Sequence, residues 1–325
     1  MTPEPRDGRI RLTILGGYLG SGKTTWLRHQ LHAGAFGPRV HVIVNEAAET
    51  PVDDALLAGA GGVTLLAGGC CCCTGRAALI EALRAICDAR SRLAASAPRL
   101  ERIVLETSGL ADPGAIVAAV QGDPVLVSHI VLDETIVTVD ALHALAQLAT
   151  EPLGRRQIGA ADRLVLTKVD AADPKALAVL RATLGEINGH AALSGAVLGV
   201  EVALPPQPTD ARPAPLPLLP DEDARGPIRP AQVTLPEGLD WSAFAVWLSA
   251  LLHARGDDLV RVKGVIRTPA GRFLLQTVRK VVQSPEILPE QGDARQDNSI
   301  VFIGRGYRPE DLGRSMHRFL GLSSA

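Results

Sequence analysis

Short apolar segments alternate with segments of helical composition from residue 10 to residue 201 of the chain. Most of the apolar segments are rich in β-branched side chains, which favour strands, and their length fits strands buried in a sheet. The apolar segments lie at residues 10–15, 40–44, 103–105, 136–139 and 164–166, and the helical patterns at residues 24–32, 76–93, 113–120, 141–148 and 174–187. This alternation predicts a mainly parallel sheet covered by helices.

The pattern changes after residue 203. Residues 204–230 contain nine prolines, a composition that cannot build a core and favours extended, semi-rigid chain. Beyond them, helical patterns at residues 241–252 and 309–320 enclose strand-like segments at residues 259–266, 273–282 and 299–303. We therefore predict an α/β domain with a mainly parallel sheet at residues 1–203, a Pro-rich linker at residues 204–230 and a smaller α+β domain at residues 231–325.

Composition and charge argue against several classes of protein. The 325 residues are 46% hydrophobic with a formal net charge of −2, so the chain can bury two cores and shows no basic footprint for nucleic acid. Residues 1–10 lack the apolar core of a secretion signal, and no later apolar run reaches about 18 residues. We expect a cytoplasmic protein with no membrane and no nucleic acid partner. Four of the five cysteines are consecutive, which disfavours a disulfide framework, because adjacent residues rarely reach disulfide geometry.

A phosphate-binding pattern follows directly on the first apolar segment, where residues 17–24 read G-x-x-x-x-G-K-T. Glycines at such a turn let backbone N–H groups surround phosphate oxygens, and the helix that follows adds its positive N-terminal end. In this pattern Lys23 reaches the outer phosphates and the Thr24 hydroxyl is placed for Mg²⁺. We predict a nucleoside triphosphate site whose phosphate-binding residues are Gly17, Gly20, Ser21, Gly22, Lys23, Thr24 and Thr25.

A second motif indicates which base this site recognises. Residues 167–170 read T-K-x-D at the end of an apolar segment. A carboxylate at Asp170 can accept hydrogen bonds from the ring N–H and the exocyclic amine of guanine, a donor pair that adenine lacks. The Lys168 stem would pack on the base. Thr167 stands where GTPases more usually have Asn. The motif predicts GTP and GDP as the ligands.

A third motif follows the apolar segment at residues 103–105, where Glu106 is followed three residues later by Gly109. Such a strand end lies beside the phosphate loop, where the carboxylate could hold Mg²⁺ through water or position the attacking water. The Gly109 N–H could sense the γ-phosphate. Lys23, Thr24 and Glu106 are therefore the candidate catalytic residues, and Thr24 and Glu106 the candidate magnesium ligands.

Four adjacent cysteines, Cys70 to Cys73, lie between an apolar segment and a helical pattern. Cys70 and Cys72 can converge and Cys73 can join them from a turn, so three thiolates would supply most of a tetrahedral site for Zn²⁺. The fourth ligand would come from the acidic stretch at residues 45–54. A redox thiol cluster and a set of inert buried cysteines are the alternatives, whereas Cys87, alone in a helical pattern, is expected in the core.

Together these motifs resemble the CobW family of P-loop GTPases. The resemblance is carried by residues 16–25, 44–53, 69–74, 106–113, 161–170 and 187–191, and by residues 261–264 and 301–304 towards the C-terminus. It implies a GTP-hydrolysing metallochaperone in which Cys70, Cys72 and Cys73 match the family's C-x-C-C metal motif and Glu49 matches a carboxylate beside it. Cys71 fills a position that the family usually gives to an aliphatic residue.

We expect GTP and Mg²⁺ to set the conformation of the segments that carry Glu49 and the cysteines, so that metal affinity follows the nucleotide state. Zn²⁺ is favoured by ligand softness, and Co²⁺, Ni²⁺ and Fe²⁺ are alternatives that tolerate similar ligands. A client metalloprotein, which the sequence does not identify, would be recognised by the C-terminal domain, and a homodimer is a further option. The alternative functions are a metal buffer or sensor with incidental hydrolysis and a redox-regulated GTPase.

Overall fold

The computed structural model of the chain describes residues 8–45, 62–66, 75–94, 97, 99–219, 229–236, 238–256, 258–268, 271–278, 281–282, 286–288 and 298–321. The chain divides into two compact units. The first comprises Met1–Leu184 and His190–Pro215, and the second comprises Gly185–Gly189 and Leu216–Ala325. No helix among the described residues is both long and apolar enough to cross a bilayer.

The first unit is built on an eight-stranded sheet, which confirms the predicted α/β class. Its strands are β1 Ile10–Gly17, β2 Val40–Asn45, β3 Gly62–Leu66, β4 Arg102–Glu106, β5 Ile130–Asp140, β6 Arg163–Thr167, β7 Ala192–Val197 and β8 Val200–Val202. They lie in the order β3-β2-β4-β1-β5-β6-β7-β8. Neighbouring strands are parallel except β7 and β8, which form an antiparallel hairpin. The carboxyl ends of the parallel strands therefore share one edge of the sheet.

Helices cover the faces of this sheet. They are α1 Lys23–His32, α2 Arg76–Ser91, α3 Pro113–Gln121, α4 Pro124–His129, α5 Ala144–Thr150, α6 Pro152–Ala160 and α7 Pro174–Asn188. On one face, α1 packs Trp26 and Leu27 against buried strand residues that include Leu15, Val104 and Val165. Since every residue of β1 from its third onwards is buried, this strand is covered on both faces, as its continuous apolar sequence predicts.

Two helix predictions for this unit need correction. The helix predicted at residues 141–148 is α5, which begins only at Ala144. The reason is Asp140, whose carboxylate accepts a hydrogen bond from the Leu142 N–H at 2.9 Å and turns the chain first. The short helices α4 and α6 are absent from the prediction, although each begins at a proline, a residue whose φ suits the first helical position.

The Pro-rich segment forms neither helix nor strand between residues 203 and 219. Its first part lies along α7, held by three hydrogen bonds. Arg181 donates to the carbonyl of Pro205 at 2.5 Å, Gln207 donates to the carbonyl of Ala178 at 2.8 Å, and the Ala214 N–H donates to the Thr183 hydroxyl at 2.8 Å. These bonds anchor this part of the segment on the first unit.

The second unit contains an antiparallel sheet with two helices. Its elements are β9 Arg229–Thr234, α8 Trp241–Arg255, β10 Leu259–Thr268, β11 Gly271–Val278, β12 Val281–Val282, β13 Glu286–Leu288, β14 Ser299–Gly304 and α9 Pro309–Phe319. The strand order is β12-β11-β10-β14-β9, and β13 pairs with β11. The single strand predicted at residues 273–282 is wrong, because Thr277 pairs with Val282 and the segment folds back on itself.

Aromatic side chains fill the core of the second unit. Trp247 of α8 has its ring centroid 5.6 Å from that of Phe244 and 6.1 Å from that of Phe302. Its indole N–H donates to the hydroxyl of Ser315 in α9 at 3.2 Å, so the buried polar atom is satisfied. The α+β class predicted for this part of the chain is thus confirmed by an antiparallel sheet packed against helices.

Candidate functional site

The turn between β1 and α1 has the backbone of an anion-binding loop. Gly20 and Gly22 have φ values of 72° and 82°, in the left-handed region that other residues rarely adopt. Such conformations point successive N–H groups towards one concavity. The Ser21 hydroxyl lies 2.7 Å from that of Thr138 on β5, which pins the loop to the sheet.

Lys23 turns back over this loop. Its ammonium group donates to the carbonyls of Gly17 at 2.9 Å and Tyr18 at 3.0 Å, and the residue is buried. A buried ammonium group beside a loop of this conformation is suited to bind phosphate. The next residues along α1 differ in their surroundings, since Thr24 is half-buried and Thr25 is exposed.

Thr24 and Glu106 are in direct contact. The Thr24 hydroxyl donates to Glu106 Oε1 at 2.5 Å. Glu106 is only 2% exposed and ends β4, where it pairs with Leu15 of β1 on one side and Val44 of β2 on the other. A hydroxyl and a carboxylate oxygen this close form the oxygen donor set that Mg²⁺ prefers, so the two residues fit the magnesium site predicted from the sequence.

Gly109 packs closely against the phosphate loop. A Cβ atom at this position would lie 2.6 Å from the backbone nitrogen of Leu19, so only glycine fits. Behind it, the buried side chain of Gln157 in α6 donates to the carbonyls of Gly109 at 3.3 Å and Ala111 at 2.8 Å. The segment that follows Glu106 is thus held between the phosphate loop and α6.

The T-K-x-D residues contact the phosphate loop from the other side. Thr167 is buried and donates to the carbonyl of Ser21 at 2.9 Å, so its hydroxyl supports the loop where GTPases more usually have Asn. Lys168 has a φ of 59° and donates to the carbonyl of Gly20 at 3.0 Å. Asp170 is exposed, as a residue that meets a ligand edge must be.

Asp140 belongs to this cluster and was missed by the sequence analysis. Its carboxylate accepts from Lys168 at 2.7 Å, and the ring Nδ1 of His143 lies 2.9 Å away. Burial raises the pKa of Asp140, but the hydrogen bonds from Lys168, His143 and the Leu142 N–H outweigh it and hold the pKa below its ordinary value. The carboxylate therefore stays ionised at neutral pH and fixes the Lys168 ammonium. The signal in the sequence is an aspartate that ends an apolar strand.

The predicted transition-metal ligands Glu49, Cys70, Cys72 and Cys73, together with Cys71, lie outside the described residues. The strands that lead into both segments are described, and they are neighbours: Asn45, the last residue of β2, pairs with Leu66, the last residue of β3. Within the described part of the chain, no group of three or more His, Cys, Asp or Glu side chains could hold a metal ion.

Cys87 is a core residue, as predicted. It is 1% exposed in α2, and burial, with Asp88 nearby, raises the pKa of its thiol to about 11. A thiol with this pKa stays protonated at neutral pH, whereas metal ligation needs the thiolate. Cys87 is therefore no competitor for the metal that the adjacent cysteines are predicted to bind.

Comparison with known proteins gives matches over both units. The profile of the CobW/HypB/UreG nucleotide-binding domain matches residues 11–194, and that of the cobalamin synthesis protein CobW C-terminal domain matches residues 229–320. Zinc chaperone YjiA of Escherichia coli strain K12 is 31% identical over 315 residues, which cover 93% of this chain and 96% of that protein. Zinc-regulated GTPase metalloprotein activator 1 of Schizosaccharomyces pombe is 35% identical over 181 residues, or 55% of this chain and 44% of that protein.

A solved structure of YjiA also resembles the fold of this chain. The crystal structure of Zn(II)-bound YjiA GTPase from E. coli superposes with a TM-score of 0.63 at 26% identity, covering 97% of this chain and 99% of that one. The family resemblance read from the motifs is confirmed. With a profile that runs from β1 into β7 and a relative that aligns over nearly the whole chain, this protein belongs to the CobW/HypB/UreG family.

Proposed function

We propose that this protein is a GTP-hydrolysing zinc chaperone that binds zinc through its cysteine cluster and hands it to a client metalloprotein under control of the bound nucleotide. The observation that carries the proposal is the position of Glu106. It touches Thr24 on one side, and its strand β4 lies beside β2, which leads into the acidic segment. The names of the relatives, zinc chaperone and zinc-regulated GTPase, agree with this function.

The phosphate loop would bind the triphosphate of GTP. Its N–H groups and the Lys23 ammonium would surround the phosphates, while the Thr24 hydroxyl and the Glu106 carboxylate would hold Mg²⁺. The metal ion would supply positive charge that offsets the charge developing on the phosphate oxygens during transfer. The Gly109 N–H, on a segment that packs against the phosphate loop, would respond to the γ-phosphate.

The T-K-x-D loop would select guanine. Asp170 is exposed to accept from the base edge, and Lys168 is fixed by Gly20 and Asp140 so that its stem can cover a face of the base. The same four-residue motif is tied to the phosphate loop through Thr167. Base recognition and phosphate binding therefore depend on one rigid assembly.

The distance between the two predicted metal-binding segments follows from strand pairing. Neighbouring strands lie about 4.8 Å apart, so Asn45 and Leu66 bring the two segments out of the sheet side by side. Glu49 comes four positions after Asn45, and Cys70 comes four positions after Leu66. Four residues span at most about 14 Å, so the chain length allows both side chains to reach one ion. Carboxylate and thiolate ligands together suit Zn²⁺.

Coupling would arise because the two sites share neighbouring strands. Glu106 pairs with Val44, one residue before the end of β2. Val44 is therefore the single residue between Glu106 and the acidic segment, and a change at the magnesium site would be passed through it. If zinc and GTP favour different arrangements of these segments, each ligand must change the other's affinity by the same factor.

The catalytic role of the phosphate site is tested by two substitutions. Lys23→Ala should weaken GTP binding at least about tenfold, because hydrogen bonds from a buried cation to charged phosphate are lost. Glu106→Gln should preserve GDP binding better than turnover, because the neutral amide keeps the shape but no longer carries the charge. Phosphate release and GDP titration measure the two effects. Lys175→Ala, which removes an exposed lysine in the same unit, is the control, and full activity in Lys23→Ala protein would place the active site elsewhere.

Base selectivity is tested at Asp170. Asp170→Asn reverses a donor and an acceptor at one base position, so GTP binding should weaken and xanthosine triphosphate should gain, for a combined shift of about 10²-fold or more. Competition titrations with GTP, XTP and ATP measure it. Asp173→Asn is a matched control, since Asp173 accepts from the first N–H groups of α7 and Asn can replace it there. Equal affinity of the unaltered protein for ATP and GTP would contradict the guanine assignment.

Zinc capture is tested with Co²⁺ as a coloured substitute. The anaerobic, reduced protein should bind one ion per chain with a sulfur-to-metal charge-transfer band in the near ultraviolet, and binding should weaken on acidification, because each thiol must lose its proton. The combined change of Cys70, Cys72 and Cys73 to Ser should abolish the band and leave GTP binding intact, whereas Cys87→Ala should keep it. A band that is missing from the unaltered protein, or that survives in the triple variant, would favour the redox alternative.

A further inference from the structure

A strained and exposed leucine stands at the carboxyl edge of the first unit. Leu198 joins β7 to β8, its φ is 48°, and 84% of its surface is exposed. Together with Gly199, whose φ is 90°, it makes a two-residue hairpin turn of the kind that favours Asn-Gly or Gly-Gly. The left-handed backbone conformation is unfavourable for leucine, and the leucine side chain is not buried at this position. Local strain without a packing benefit is a feature of ligand sites.

The turn lies beside the T-K-x-D loop. β7 runs parallel to β6 with Thr167 opposite Ala196, so Lys168 comes out of the sheet next to Val197, one residue before Leu198. Within the described residues of the first unit, Lys168 and Leu198 are the non-glycine residues with positive φ. Two left-handed residues therefore stand side by side where the base of the nucleotide is proposed to bind.

The turn is fixed in this position by α1. The buried amide of Gln30 donates to the carbonyl of Gly199 at 3.1 Å. A Cβ atom on Gly199 would lie 2.6 Å from the carbonyl oxygen of Thr25, so the turn touches the helix directly after the phosphate loop. On the other side, Arg163 of β6 binds Glu201 of β8 at 2.9 Å. These contacts hold the backbone of the turn at this edge of the sheet.

We propose that Leu198 forms an apolar wall of the guanine subsite and packs against the purine ring whose edge Asp170 binds. The inference rests on the proposed function of the T-K-x-D loop as the guanine-binding element. The face of a purine is a flat, weakly hydrated surface, and covering it with leucine removes apolar area of both partners from water. Because the backbone of the turn is already fixed, only the Leu198 side chain has to lose conformational freedom when the base arrives.

Contact with the face of the purine ring and contact with its edge affect nucleotide affinity differently. Contact with the ring face is insensitive to the groups on the base edge, so Leu198 should contribute to the affinity for guanine and xanthine nucleotides alike. Asp170, by contrast, determines which of them is preferred. Because the strained turn favours Asn or Gly, replacing Leu198 by either should leave the fold as stable or more stable.

The test compares Leu198→Asn, Leu198→Gly and Leu198→Met. GDP carrying a fluorophore on its ribose is titrated against each protein, and the melting temperature is measured without nucleotide. The dissociation constant for GDP should rise about fivefold in the Asn and Gly variants, from the loss of some 40 Å² of apolar contact, while their melting temperatures stay equal or rise. Leu198→Met should bind as the unaltered protein does. Val200→Thr, at a partly exposed residue in the same hairpin, is the control and should change nothing.

A GDP affinity within about twofold of the unaltered protein in both the Asn and the Gly variants would overturn the proposal, as would a loss of affinity that accompanies a lower melting temperature. The guanine assignment is judged separately, by comparing ADP with GDP on the unaltered protein. Equal binding of ADP and GDP would refute that assignment. The proposal for Leu198 is judged instead from the change in GDP affinity among the variants.

Discussion

The contact between Thr24 and Glu106 is the point at which the elements of the nucleotide site meet. One residue begins α1 and the other ends β4, and their oxygens are 2.5 Å apart. A parallel sheet makes this possible, because it brings the carboxyl ends of β1, β4 and β2 to one edge in consecutive positions. The same arrangement places the strand that leads to the acidic segment beside the magnesium site. In the proposed function, control of metal binding by the nucleotide would follow from this strand order.

A set of polar contacts ties this edge of the sheet together. Thr167 supports the phosphate loop through the Ser21 carbonyl, and Lys168 bridges Gly20 and Asp140. On the opposite side, Gln157 anchors the carbonyl of Gly109. The hydrogen bonds of Thr167 and Gln157 are buried and specify one geometry, since breaking either leaves an unsatisfied polar group in the interior. In the proposed function, a loop held in this way would pass a change in the nucleotide to the neighbouring segments.

The sequence predicts the parts of this site that are local in the chain. The phosphate loop, Glu106 and the T-K-x-D motif can be recognised because each combines a short apolar strand with a few polar residues at fixed spacing. Asp140 and Gln157 were missed because their partners lie 28 and 48 residues away, and only the strand order brings them together. The hairpin at 273–282 was missed for a similar reason: an apolar run shows that strands are present but not where the chain reverses.

The dependence of zinc affinity on the nucleotide state is measured by titrating Zn²⁺ into protein loaded with Mg²⁺ and a non-hydrolysable GTP analogue, or with GDP. The two dissociation constants should differ by about fivefold or more, a typical size for coupling between sites. Zinc should also change the ratio of GTP-analogue to GDP affinity by the same factor. Equal zinc affinities in the two nucleotide states would mean that the nucleotide does not control metal binding.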